Sequence, residues 1–208
     1  MSSYIMHLCI SDKVKRNIGL TDKFVYGSVL PDIIKNITGD RDKTHYIKNV
    51  KVGQEIRHLP DIQKAIDELD IKDKEIKLGY IAHLIEDYIW FNEDIPNYSE
   101  IVSDKELRYN KDNTIHSLEE FRQDMYSDYT SSNYYIVKTT DTNIEELKDN
   151  LLAVIQDSEH QKVLLENMLY DVNADVDKNI FMTKENIDSY VQRATKEVEN
   201  KIMELLGE

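Results

Sequence analysis

The chain has 208 residues, 40% of them hydrophobic, which is enough for one well-packed domain and too little for two generous ones. A formal charge of −14 excludes a broad phosphate-tracking surface, because such surfaces need clustered Lys and Arg. It leaves a small phosphorylated substrate open, since bound divalent cations would invert the local potential of a site. A lone cysteine, Cys9, excludes an intramolecular disulfide. No run approaches the roughly 18 apolar residues of a membrane span, and the N-terminus lacks the basic and apolar regions of a secretory signal. The expectation is therefore a reduced, cytoplasmic protein. Only six glycines and three prolines interrupt long runs of Lys, Glu, Ile and Leu, so the fold class is expected to be all-α.

From Tyr4 to about Asn17, Ile5, Leu8, Cys9 and Val14 recur at helical spacing, with His7 near the start of this first helix. After Gly19, the segment Phe24–Ile33 contains Gly27 and Pro31. Proline cannot continue a helix, so Asp32 is expected at a turn or at the start of a new short helix. Residues 39–44 are polar and loop-like, and His45 stands where the loop meets the next element. Residues 54–69 and 73–92 read as two helices separated near Asp70, with Pro60 interrupting the first.

The second of these holds the most informative stretch, Leu78–Trp90. His83 and Asp87 are four residues apart and share a face with Ile76, Tyr80 and Trp90, an apolar and aromatic stripe that should point inward. Two polar groups there need hydrogen-bond partners or a metal ion. Alone, the pair reads more readily as a satisfied pair in the core.

Beyond Pro96 a polar connector is expected, and from about Thr114 a further helix carries His116, Glu120, Asp124 and Asp128 at four-residue steps. That row fits either a solvated acidic face or additional ligands for metal or substrate. Ile144–Tyr170 and Lys184–Leu206 are both amphipathic. The latter reads as a long helix packing back on the domain or on a second copy in a homo-oligomer. His58 and His160 lie in charged helical contexts facing water. The expected organisation is a metal-binding helical core over residues 1–140 and C-terminal helices over residues 141–208 packed on the same domain.

His7, Asp32, His45 and the His83/Asp87 pair supply imidazoles and carboxylates from separate elements, the ligand types of a two-zinc site. Their order matters. A histidine near the start, an aspartate after Gly-x-x-x-Pro, a Thr-His-aromatic segment and then Gly-Tyr-x-x-His-x-x-x-Asp-Tyr-x-Trp together resemble the zinc-dependent phospholipase C family. This family is similar in metal arrangement to the S1/P1-type nucleases, and the resemblance is closest to its small cytoplasmic putative-hydrolase branch. It implies a compact helical bundle around a metal cluster and a metal-dependent phosphoric ester hydrolase. His7 would bind one zinc, Asp32, His45 and His83 another, and Asp87 would bridge the two; Asp32 is alternatively a general base. His116 and Glu120 offer a helix-borne pair for a third zinc. The implied substrate is a small phosphorylated molecule, a nucleotide or lipid head group being candidates. The competing reading is a non-catalytic, metal-stabilised helical binding or regulatory protein. The adjacent His-Asp dipeptide of HD-type phosphohydrolases is absent.

Overall fold

In the computed structural model, residues 3–52, 55–169 and 174–207 are described. At the centre two helices cross through glycines: α2 (Asp22–Thr38) and α5 (Lys74–Ile89), numbered in chain order after α1 (Tyr4–Ile18), α3 (Arg41–Thr44) and α4 (Ile62–Glu68). A Cβ on Gly27 would lie 2.2 Å from the Ile76 carbonyl oxygen, and one on Gly79 would lie 2.0 Å from the Phe24 carbonyl oxygen. Only glycine permits this approach of two backbones. It brings Asp32 on α2 beside His83 and Asp87 on α5.

Two expectations about this region are corrected. Pro31 lies inside α2, which runs unbroken past it, so Asp32 sits mid-helix rather than at a turn. Proline removes one ladder donor, but tight packing against α5 holds the helix together, and tertiary contact overrides propensity. Gly27 serves the helix crossing and not a turn. Gly19 and Gly39, both with φ near 74°, close α1 and α2 in the left-handed conformation.

The expected helix over residues 54–69 is replaced by a hairpin of β1 (Ile47–Val52) and β2 (Glu55–Pro60), antiparallel from Ile47↔Pro60 to Val52↔Glu55, followed by the short α4. Leu59 turns into the core while Ile56 and His58 face out, the alternation of a half-buried strand. Pro60 ends the strand, where its missing N–H costs no ladder bond. α5 continues into a π-helical stretch (Trp90–Asp94) and α6 (Ile95–Tyr98).

The expected connector after Pro96 contains a three-stranded antiparallel sheet, β3 (Ser99–Ile101), β4 (Glu106–Tyr109) and β5 (Ile115–Ser117). α7 (Leu118–Thr140) starts after it, with Ser117 and Glu120 forming a capping box. The Ile144–Tyr170 pattern divides into α8 (Ile144–Val154) and α9 (Ser158–Asn167), the second capped by Asp157; Tyr170 lies outside the described residues. The last helix, α10 (Lys184–Leu206), matches its predicted bounds. The class is all-α with small sheets, and among the described residues no helix is long and apolar enough to cross a membrane.

One apolar core runs through the chain, from Ile5, Leu8 and Phe24 through Ile81 and Trp90 to Tyr190 and Val198. His160, expected to face water, is half-buried and shares a 2.6 Å hydrogen bond with the Tyr26 hydroxyl. His58 is exposed as expected, but on a strand.

Candidate metal centre

Three imidazoles and two carboxylates meet where α1, α2, the end of α3 and α5 converge, and all five side chains are buried. Among the described residues, two trios could hold a metal ion: His7, His83 and Asp87, and Asp32, His45 and His83, each with ligand atoms within 4.8 Å of one another. His83 belongs to both. Its Nε2 lies 3.1 Å from His45 Nε2 and 3.9 Å from Asp87 Oδ2. His45 Nε2 is 3.4 Å from Asp32 Oδ1 and 3.9 Å from Asp87 Oδ2, and His7 Nε2 is 3.6 Å from Asp87 Oδ1. The His7 and His83 rings stack with centroids 3.9 Å apart.

The far nitrogens fix the chemistry of the near ones. His83 Nδ1 sits 2.7 Å from the Ser28 carbonyl, which can only accept, so the proton is on Nδ1 and neutral His83 presents a bare lone pair at Nε2. Thr44 Oγ1 donates to the carbonyls of Asp40 and Arg41 and so accepts from His45 Nδ1 at 2.9 Å, which leaves His45 Nε2 bare as well. Two lone pairs facing each other at 3.1 Å repel unless a cation or proton lies between them. The donor set, imidazole nitrogen and carboxylate oxygen with each imidazole oriented from behind, fits zinc.

The carboxylates tune the third imidazole. His7 Nδ1 pairs with Glu86 Oε2 at 2.8 Å. Burial opposes protonation of His7, but Glu86 and Asp87 outweigh it and lift its pKa to about 10, so a cation must displace the Nε2 proton. Burial drives the His83 pKa well below its ordinary value, helped by the neighbouring His7. Burial also works against charge on Asp32, yet the Lys35 cation, with Nζ 2.8 Å from Asp32 Oδ1, holds its carboxyl below the usual range. Asp87 is likewise held low despite burial, through its hydrogen bond with His7, while burial raises Glu86.

His7, Asp32, His45, His83 and Asp87 are thus brought together. The remaining candidates are not. His116 lies on β5, stacked on Tyr109 at 3.8 Å with Nε2 bonded to Thr114 Oγ1. Glu120 caps α7 through the Ser117 N–H at 2.7 Å, and Asp124 accepts from the Tyr109 hydroxyl at 2.7 Å. Asp128 is buried and accepts the backbone N–H groups of Ile180, Phe181 and Met182. The helix-borne His116/Glu120 pair is therefore not formed, because Ser117 caps the helix one residue beyond the histidine. None of the four belongs to either trio.

Sequence reasoning missed Glu86, Ser28 and Thr44. Glu86 carried a signal, a second acid inside an apolar stretch, whereas the Ser28 carbonyl and Thr44 hydroxyl act through contacts that no local pattern encodes.

The family description for zinc dependent phospholipase C matches residues 6–197. The chain belongs to this family. The match spans all five converging residues and reaches into α10. No curated protein and no solved structure matches the chain. Zinc dependence and hydrolase chemistry are those of the family, and the buried His/Asp trios are consistent with Zn2+.

Two cavities open near the centre. One, of about 240 Å³, is lined by Asp32, Lys35, Tyr4 and Asn133 among others; the second, of about 500 Å³, is a mostly apolar groove past Leu59, Phe91 and Phe121 with Arg41 and Arg57 in its wall. Tyr126 and Tyr129 line both.

Proposed function

We propose that the protein is a zinc-dependent phosphoesterase that hydrolyses a phosphodiester or phosphomonoester of a small or flexible molecule. The observation that carries this reading is the convergence of three Nε2 atoms and two carboxylates, with the imidazoles held from behind by Glu86, Ser28 and Thr44. Zinc bound there supplies Lewis acidity toward phosphoryl oxygens and brings the pKa of water near neutrality.

The residues of the chain do the rest. His7 holds one side of the site, while His45 and Asp32 hold the other. Asp87 directs Oδ1 toward His7 and Oδ2 toward His45 and His83, which supports the reading that it would hold metal from both oxygens. Asp32, kept ionised by Lys35, faces the smaller cavity, where it would serve as a zinc ligand or, alternatively, as the base that takes the proton of an attacking water. The core around His83 excludes bulk solvent, which strengthens each electrostatic contact to a phosphoryl group. The apolar groove beyond Tyr129 suits an apolar portion of the substrate, such as the second ester group of a phosphodiester, and Arg41 and Arg57 in its wall favour anions.

The test is metal analysis of protein purified without chelator, together with hydrolysis of bis(p-nitrophenyl) phosphate. Zinc near two per chain and turnover abolished by Asp87→Asn, with the helical circular dichroism retained, are the expected results. Protein that binds no transition metal and gains no activity on adding zinc would refute the proposal.

A further inference from the structure

The smaller cavity beside Asp32 has a wall chemistry of its own. Tyr126, 61% exposed, offers a ring face at its mouth. Asn133 accepts from Ser3 Oγ at 2.6 Å through Oδ1, which turns its amide N–H groups to other use, and Asn167 donates to the Val163 carbonyl at 2.8 Å, which keeps its Oδ1 as an acceptor. The Tyr4 hydroxyl is shut off from solvent and has no hydrogen-bond partner among the described residues. A buried hydroxyl left without a partner is costly, and a ligand that reaches it recovers that cost.

Charge discriminates between ligand classes. Asp32, the only carboxylate among the described residues of this wall, is already paired with Lys35 at 2.8 Å. A quaternary ammonium group would meet tyrosine rings but also the Lys35 cation and no carboxylate left to balance it. Hydroxyl groups both donate and accept, which is what amide N–H, amide oxygen and phenol together require. An aromatic face beside such groups suits the apolar face of a saturated ring.

We propose that this cavity is the subsite for the alcohol portion of the substrate, and that it takes a polyhydroxylated ring, a sugar or cyclitol phosphate, with Tyr4 and Tyr126 as specificity-determining residues. The inference rests on the phosphoesterase reading for anchoring the phosphate at the metal centre. It is tested by calorimetric titration of zinc-incubated protein with myo-inositol 1-phosphate and with phosphocholine. The expected result is at least about tenfold tighter binding of the inositol phosphate. Tyr4→Phe should weaken that binding by about five- to tenfold while leaving the melting temperature equal or higher, because it removes the unpartnered hydroxyl. Tyr126→Ala, at an exposed position, should weaken it severalfold with no change in melting. Phosphocholine binding as tight or tighter, no binding of either probe, or an unchanged affinity in Tyr4→Phe would each overturn the inference. Hydrolysis of bis(p-nitrophenyl) phosphate by the same samples reports on the metal centre separately. Its absence from protein that still prefers the inositol phosphate would sink the phosphoesterase reading and leave the polyol subsite standing.

Discussion

Replacing Gly79 by alanine sets two effects of opposite sign against each other. On helix propensity alone the change stabilises α5 by about 1 kcal/mol. The structure argues the reverse, because the new Cβ would sit 2.0 Å from the Phe24 carbonyl oxygen and 2.8 Å from the Ser28 nitrogen, both backbone atoms of α2. Ordinary contacts lie at about 3.5 Å, so the two helices must part by about 1.5 Å, and no side-chain rotation relieves the clash. Overpacking at a rigid site costs about 3 kcal/mol, which leaves a net loss of about 2 kcal/mol after the propensity gain. At about 2–4 °C per kcal/mol for a chain of this size, the melting temperature should fall by about 4–8 °C. The same parting carries His83 and Asp87 away from Asp32, so zinc affinity should drop by at least about tenfold. Thermal melts at 222 nm and competition with a zinc chelator read the two effects, with Lys74→Ala on the exposed face of the same helix as control, expected to stay within about 0.5 kcal/mol of the parent. A Gly79→Ala protein that melts at or above the parent temperature would refute the close-approach argument.

Further outcomes follow from the same geometry. Glu86→Gln removes the charge behind His7 and should weaken zinc binding by about 10- to 100-fold in chelator competition while the fold survives. Asp128→Ala strips the acceptor from three backbone N–H groups of residues 180–182 and should cost about 2–4 kcal/mol in denaturant unfolding, with zinc binding little changed. Burial pushes the Cys9 thiol up to about 12. The folded state therefore holds that proton more tightly than the unfolded chain, and stability contributed by the neutral thiol is lost as pH rises above the unfolded value toward 12. At pH 8 only about one part in ten thousand is thiolate, so a disulfide reagent should label Cys9 only after denaturant is added.

The inward stripe of Tyr80, His83, Asp87 and Trp90 was legible from period alone, and all four are buried. The bounds of α10 were legible for the same reason, a long regular repeat bounded by Thr183 and Gly207 caps. Pro31 misled because a local rule about ladder donors was applied where packing against Gly79 decides the outcome. The hairpin at residues 47–60 was missed because its charged residues alternate with Ile and Val at a period of two, within a stretch that also holds partial helical spacing. His116 illustrates a different failure: four-residue spacing was extended across Ser117, whose capping preference marks the start of the helix. The five converging residues were singled out through resemblance and confluence of residue types, while the groups that orient them were not, since a carbonyl and a hydroxyl leave no trace in spacing.

α10 is fastened to two earlier helices: Glu199 bonds Asn17 on α1 at 2.6 Å, and the Tyr190 hydroxyl donates to the Glu86 carbonyl on α5 at 3.2 Å. Contacts across so much sequence close late in folding, because loop entropy must be met before they are rewarded. During synthesis α1, which carries His7, meets α10 only after the residues between them have been made. Zinc bound by His7 would then follow assembly of the bundle, in contrast to small zinc domains whose metal nucleates the fold.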